Sequence, residues 1–198
     1  MLEITKFGNF KEFEKNKNKK QIILCNSFRD GEKYLTALKY RKNGKYDKIP
    51  NYFITKEGKV LSLLSDDSFC NFFNEYEINK NAIIVCLENY GWLQKIPLNS
   101  SYFNWVGEQV PDNVFERKWR DKTFWENYTT EQFNSLVELC QKLLKKFSIH
   151  KTFIGHNTKV EGIKIFNGIV CRSNYDNKFT DPSPAFNFEE FKNLIENE

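Results

Sequence analysis

Two histidines, one acidic turn and a scattered set of thiols are the groups in this chain best suited to site chemistry. His156 follows the apolar pair Phe153–Ile154 and Gly155, then opens the polar loop His156-Asn157-Thr158-Lys159. A histidine at the carboxyl end of a strand can face a cleft as a ligand or a proton carrier, or simply be solvated. His150 stands near the C-terminus of an expected helix, where a cation is favoured by the helix dipole, and it reads as structural. Asp181 lies in Thr180–Phe186 (TDPSPAF), where Pro182 and Pro184 stiffen the backbone. Read by itself, that turn is a helix entry with Asp181 or Ser183 as a cap. The five cysteines, Cys25, Cys70, Cys86, Cys140 and Cys171, are odd in number and form no CxxC pair. That argues against a disulfide scaffold and for a reducing compartment.

Elements that would position these groups follow from the hydrophobic pattern. Gln21–Cys25 is a short apolar run suited to a buried strand. Residues 51–55 and 60–64 flank Glu57-Gly58 as a hairpin, and Ala82–Leu87, β-branched and apolar, reads as a central strand. Thr129 or Thr130 caps a helix whose stripe runs Phe133, Leu136, Val137, Cys140, Leu143, Leu144 and Phe147. Phe153–Ile154 reads as a short strand and Phe188–Ile195 as a terminal helix. Intermingled strands and helices imply an α/β (α+β) class: one domain over residues 1–198, with a central mixed β-sheet flanked by helices.

The order of these segments resembles the amidase-2 family, the N-acetylmuramoyl-L-alanine amidases and peptidoglycan recognition proteins. IGHNTKV followed by TDPSPAFNFEEF resembles its C-terminal signature, and QIILCNS resembles its first strand. NYFITKEGKVLSL and NAIIVCLEN resemble its hairpin and central strand, and YTTEQFNSLVELCQKLLKKF its long helix. The match runs over roughly residues 20 to 195. It implies a Zn²⁺ site with His156 and Asp181 as ligands and Cys25 where the family has histidine. Thiolate, imidazole and carboxylate are all acceptable zinc donors.

Other family positions are substituted. The catalytic Glu falls on Cys86, the alternative Tyr on Pro50, and a Lys on Phe179, beside Lys178. FCNFF (69–73) stands where many members carry A-W-H-A-G. Glu88, two residues on from Cys86, is the remaining general-base candidate, and Lys178 the remaining cation for developing charge. The segment between His156 and Asp181 is long and reads as an insertion, with Arg172, Asn174 and Tyr175 edging the cleft. Asn51 and Asn157 are further candidates for substrate contact.

The resemblance therefore implies zinc-dependent cleavage of the N-acetylmuramoyl-L-alanine bond. Its alternative is an inactive module that binds muropeptide or another small ligand, a phosphorylated metabolite included. Net charge is +4, with 30 basic and 26 acidic residues interspersed, which does not suggest a nucleic-acid partner. No run approaches the ~18 apolar residues of a membrane span. No secretory signal is legible at the N-terminus, so the expected site of synthesis is the cytoplasm, with release to the cell wall by another route.

Overall fold

In the computed structural model, residues 2–96, 101–110 and 113–197 are described. Strands β1 (Ile4–Lys6), β2 (Gln21–Asn26), β3 (Tyr52–Ile54), β4 (Val60–Ser62), β5 (Ala82–Leu87) and β11 (Gly168–Cys171) form one six-stranded sheet in the order β1-β4-β3-β5-β2-β11. β3 and β4 are the antiparallel hairpin; every other pairing is parallel. The sheet is therefore mixed. β2 and β5 are buried at every position, which is why their sequences are continuously apolar rather than alternating.

Alternation sends the two strands' side chains to two cores. Ile22, Leu24, Ile83 and Val85 meet the stripe Leu136, Leu139, Cys140 and Leu143 of α3 (Thr130–Phe147), with Phe191 and Ile195 of α4 (Phe188–Glu196). Ile23, Cys25, Ile84 and Cys86 face the other way, toward Leu35 and Leu38 of α1 (Gly31–Tyr40) and Ile78 of α2 (Tyr76–Asn81). The α3 cap is Thr129, whose hydroxyl accepts from the Gln132 amide at 3.2 Å.

Two expectations need correction. Phe153–Ile154 makes only a single bridge, Phe153 to Ile169, and packs its ring at 5.0 Å against Phe191. The strand beside β2 is instead β11, which lies inside the segment read as an insertion. It pairs in parallel from Gly168–Gln21 to Cys171–Leu24. Gly168, at φ 151°, enters this strand so tightly that a β-carbon would sit 2.5 Å from the Thr152 carbonyl oxygen.

The second correction concerns residues 92–96, 101–110 and 113–126, to which the pattern gave no elements. They form a separate antiparallel sheet in the order β8-β7-β6-β10-β9, from β6 (Trp92–Lys95), β7 (Tyr102–Phe103), β8 (Gln109–Val110), β9 (Val114–Trp119) and β10 (Lys122–Glu126). Lys56 anchors it to the hairpin by an ion pair with Glu126 at 2.6 Å. Trp105 Nε1–H donates to the Phe28 carbonyl at 2.8 Å. Among the described residues, no helix is long and apolar enough to cross a membrane.

Lys19, just before β2, is a buried lysine with no carboxylate within ion-pair distance among the described residues, Asp67 acting on it only at longer range; its Nζ donates to the carbonyls of Ser68 (3.2 Å) and Lys80 (3.0 Å). Burial lowers its pKa to about 8. An unfolded lysine titrates near ~10.4, so between these values the unfolded chain binds the extra proton and stability rises with pH. The gain is complete above the unfolded value and is lost as pH falls through about 8. From pH ~7 to ~9 the native protein should gain roughly 1–1.5 kcal/mol relative to Lys19→Met in urea denaturation. Both carbonyls keep a second donor, Asn51 Nδ2 and Asn16 Nδ2 respectively, so the methionine variant should fold.

Candidate functional site

The parallel strands β2, β5 and β11 end together, and at their carboxyl ends the chain turns into the loops that build the site, as in other open α/β sheets. Asp181 sits here fully buried on the TDPSPAF turn, immediately before a cis Asp181–Pro182 bond. Both its oxygens lie 3.0 Å from Arg172 Nε, and Oδ2 also accepts the Asn26 amide at 2.9 Å. Burial raises the pKa of this carboxyl, and Arg172 and the Asn26 amide oppose that shift. Burial likewise works against the Arg172 charge; Asp181 and, secondarily, Cys25 outweigh it and raise the guanidinium pKa. The guanidinium is roofed by Phe179, 4.4 Å to the ring centroid, and by Phe28 at 5.6 Å. The cation at the strand ends is thus an arginine.

Cys25, His156 and Asp181, the three residues expected to hold zinc, do not form a group that could hold a metal ion. Cys25 is buried in β2, in register with Cys86 of β5, and its Sγ contacts the Val85 carbonyl at 3.7 Å. Burial, and then Cys86, pushes its thiol well above the ordinary range. His156 is exposed on its loop, with Nδ1 against Thr158 Oγ1 at 2.9 Å. Among the described residues no group of three or more His, Cys, Asp or Glu side chains could hold a metal ion. Zinc requires three or four converging donors, and the residues present do not fit it. The physical reason is twofold: Arg172 takes the carboxylate, and β11, not residues 153–154, is the strand that reaches the site.

Other predicted residues are tied into the fold by hydrogen bonds. Glu88 is buried, accepting the Gly31 amide at the start of α1 (2.9 Å) and the Lys56 amide (3.2 Å). It secures a helix terminus and the hairpin turn. Asn51 is buried between β3 and β5, donating to the Ser65 and Ser68 carbonyls and accepting from the Ile84 amide. Asn157 donates to the Pro182 carbonyl at 3.1 Å. Asn174 ties the loop together, donating to the His156 and Thr158 carbonyls and accepting the Cys171 amide. The Tyr175 hydroxyl bonds Gln21, and Lys178 pairs with Asp176 at 2.9 Å. Of the candidates, Arg172, Lys178 and Tyr175 face cavities.

A cleft of about 730 Å³ opens beside Arg172, between α1, the strand-end loops and the second sheet. A second cavity of about 610 Å³ adjoins it, sharing Phe72, Phe179, Lys48, Lys178 and Arg172. Several lining residues had no sequence signal. Tyr34 reaches in from α1, stacks on Phe53 at 5.2 Å and lies beside the Cys25–Cys86 pair, where burial and the thiols push its pKa well up. The Tyr128 hydroxyl accepts the Ser183 amide at 3.0 Å and bonds the Asn26 side chain, fixing the turn that carries Asp181. The spacing of Tyr34, Leu35 and Leu38 after Asp30 could have exposed α1; nothing local announces Arg120 or Trp92 as cleft walls.

A mixed sheet with this strand order, helices on both faces and a site at the strand ends defines the zinc-amidase and peptidoglycan-recognition class of fold. The family model for N-acetylmuramoyl-L-alanine amidases matches residues 15–182, and the chain belongs to that family. Its structure is similar to the amidase LysC from Clostridium intestinale URNW, with 13% identity and a TM-score of 0.57 over 97% of this chain and 96% of that one. It is also similar to AmiD from E. coli, solved with anhydro-N-acetylmuramic acid-L-Ala-D-gamma-Glu-L-Lys, at 13% identity and TM-score 0.57 over 90% of this chain and 58% of that one. Drosophila peptidoglycan recognition protein SD matches at 12% identity and TM-score 0.50, over 94% and 92% of the two chains. No curated protein sequence matches.

Proposed function

We propose that this chain is a metal-independent member of the amidase family, a module that binds a peptidoglycan fragment in the cleft beside Arg172 without hydrolysing it. The observation that carries this reading is the ion pair between the partly exposed Arg172 and the fully buried Asp181, a guanidinium on the carboxylate that the family resemblance implied as a metal ligand. A guanidinium cannot offer the open coordination position that activates water. It can, however, orient carboxylates by charge-assisted hydrogen bonds, and muropeptide stems carry carboxylates. Family membership and the amidase and recognition-protein folds support the ligand class.

Two measurements test this together. Zinc at saturating excess should leave the unfolding midpoint unchanged, whereas a ligand at ~100 times its Kd would stabilise by about 2.7 kcal/mol. Calorimetry with a muramyl tripeptide should show binding, and chromatography should show no released peptide. Stoichiometric zinc that disappears in Cys25→Ala and His156→Ala, or chelator-sensitive peptide release, would overturn the reading and restore catalysis.

A further inference from the structure

The cleft concentrates charge in a way the whole chain does not. Seven of the 30 basic residues line it, but only one of the 26 acidic residues, Asp121. Some of this charge is committed: Arg172 to Asp181, Lys178 to Asp176, Lys122 to Asp121. Arg29, Arg41 and Lys48 are different. Among the described residues none of the three has a carboxylate within ion-pair distance, and they come from three separate segments around α1. Like charges gathered around one cavity repel, and that cost is relieved when a polyanion enters.

Aromatic rings are set among these cations. The Arg29 guanidinium lies 5.3 Å from the Trp105 ring centroid, Arg41 lies 4.8 Å from Tyr46, and Lys122 lies 4.2 Å from Trp92. Trp105 is about half exposed (48%), its ring held in place by the bond from Nε1 to the Phe28 carbonyl. Arginine forks match phosphate oxygens bidentately, and a planar ring presented beside a cation is a stacking surface. A stem peptide alone supplies carboxylates spaced along a chain, and it has no planar ring for the indoles.

We propose that the cleft takes a ligand carrying a diphosphate beside a planar ring, so that the fragment bound is a muropeptide linked through its sugar to a nucleoside diphosphate. This inference rests on the binding reading above and specifies its ligand. Arg29, Arg41 and Lys48 hold the phosphates, and Trp105 or Trp92 stacks on the base.

Calorimetry with four probes separates the possibilities: a muramyl pentapeptide, the same pentapeptide linked to uridine diphosphate, uridine diphosphate alone, and inorganic pyrophosphate. The linked form should bind at least about tenfold more tightly than the unlinked one, as added charge-assisted contacts require. Pyrophosphate should compete with it. Arg29→Gln and Arg41→Gln should each remove about tenfold of the linked form's affinity while leaving the unlinked form within about twofold. Lys118→Gln, on exposed β9 away from the cleft, should change neither. Uridine diphosphate alone binding as tightly as the linked form would support the phosphate site but identify a free nucleotide as its source. Equal affinity for linked and unlinked pentapeptide, with no competition by pyrophosphate, would overturn the inference and leave metal-independent muropeptide binding standing. Binding of no probe would overturn both.

Discussion

Replacing Arg172 with methionine should destabilise the protein by about 3–5 kcal/mol, the cost of leaving the buried Asp181 carboxylate without its cation. Asp181 is fully buried, and without Arg172 its carboxylate keeps only the Asn26 amide among the contacts described above. The damage should spread, because the same turn is held by the Ser183 amide on Tyr128 and by the Pro182 carbonyl on Asn157. Urea denaturation reads the loss as a lower midpoint at unchanged slope. The double variant Arg172→Met with Asp181→Leu should recover most of it, since apolar replacement of both partners is commonly near neutral. If Arg172 were merely a cleft-edge side chain, as first expected, its removal would cost under about 1 kcal/mol, the ordinary worth of a surface pair. A loss that small would also remove the argument against a metal at Asp181.

Glu88→Gln should cost about 2–3 kcal/mol, because hydrogen bonds to a charged acceptor are each worth ~1.5–3 kcal/mol and a carboxylate at a helix N-terminus adds to them. The Gly31 amide binds one oxygen and the Lys56 amide the other. Glutamine keeps a single acceptor and turns its amide toward one of these N–H groups. A general base behaves differently: the isosteric amide would abolish turnover and leave stability nearly intact. Denaturation and melting of Glu88→Gln therefore decide between fastener and base. A variant as stable as the parent would count against the role assigned here. Binding of muramyl peptide per folded molecule should be unchanged, since Glu88 does not line the cleft.

The central architecture was legible because it rests on local patterns. QIILCN and AIIVCL are continuous apolar runs, and such runs suit strands buried on both faces of a parallel arrangement. The α3 stripe and its Thr129 cap follow helical spacing, and the hairpin follows from a glycine turn. β11 was missed because GIVC is only four residues long, whereas the nearby Gly155-His156 pair carried the family signature more visibly. That misplacement also moved a ligand, since the strand that adjoins β2 determines which side chain arrives beside Asp181.

Sequence by itself determined the family, the strands β2 to β5, the long helix and the presence of Asp181 on a stiff turn. Residue type and spacing are enough for these, because they depend on neighbours a few positions away. Only the tertiary structure decided what each polar group is paired with. Glu88 and Gly31 are 57 residues apart, Asn26 and Asp181 155, and Lys56 and Glu126 70. Burial makes such pairings obligatory, since an unpartnered charge or amide in the interior is costly, yet it leaves the choice of partner to the packing of distant segments. In the same way the basic residues, interspersed along the chain, become a cationic cleft only when α1, the β11 loop and the second sheet close around one space.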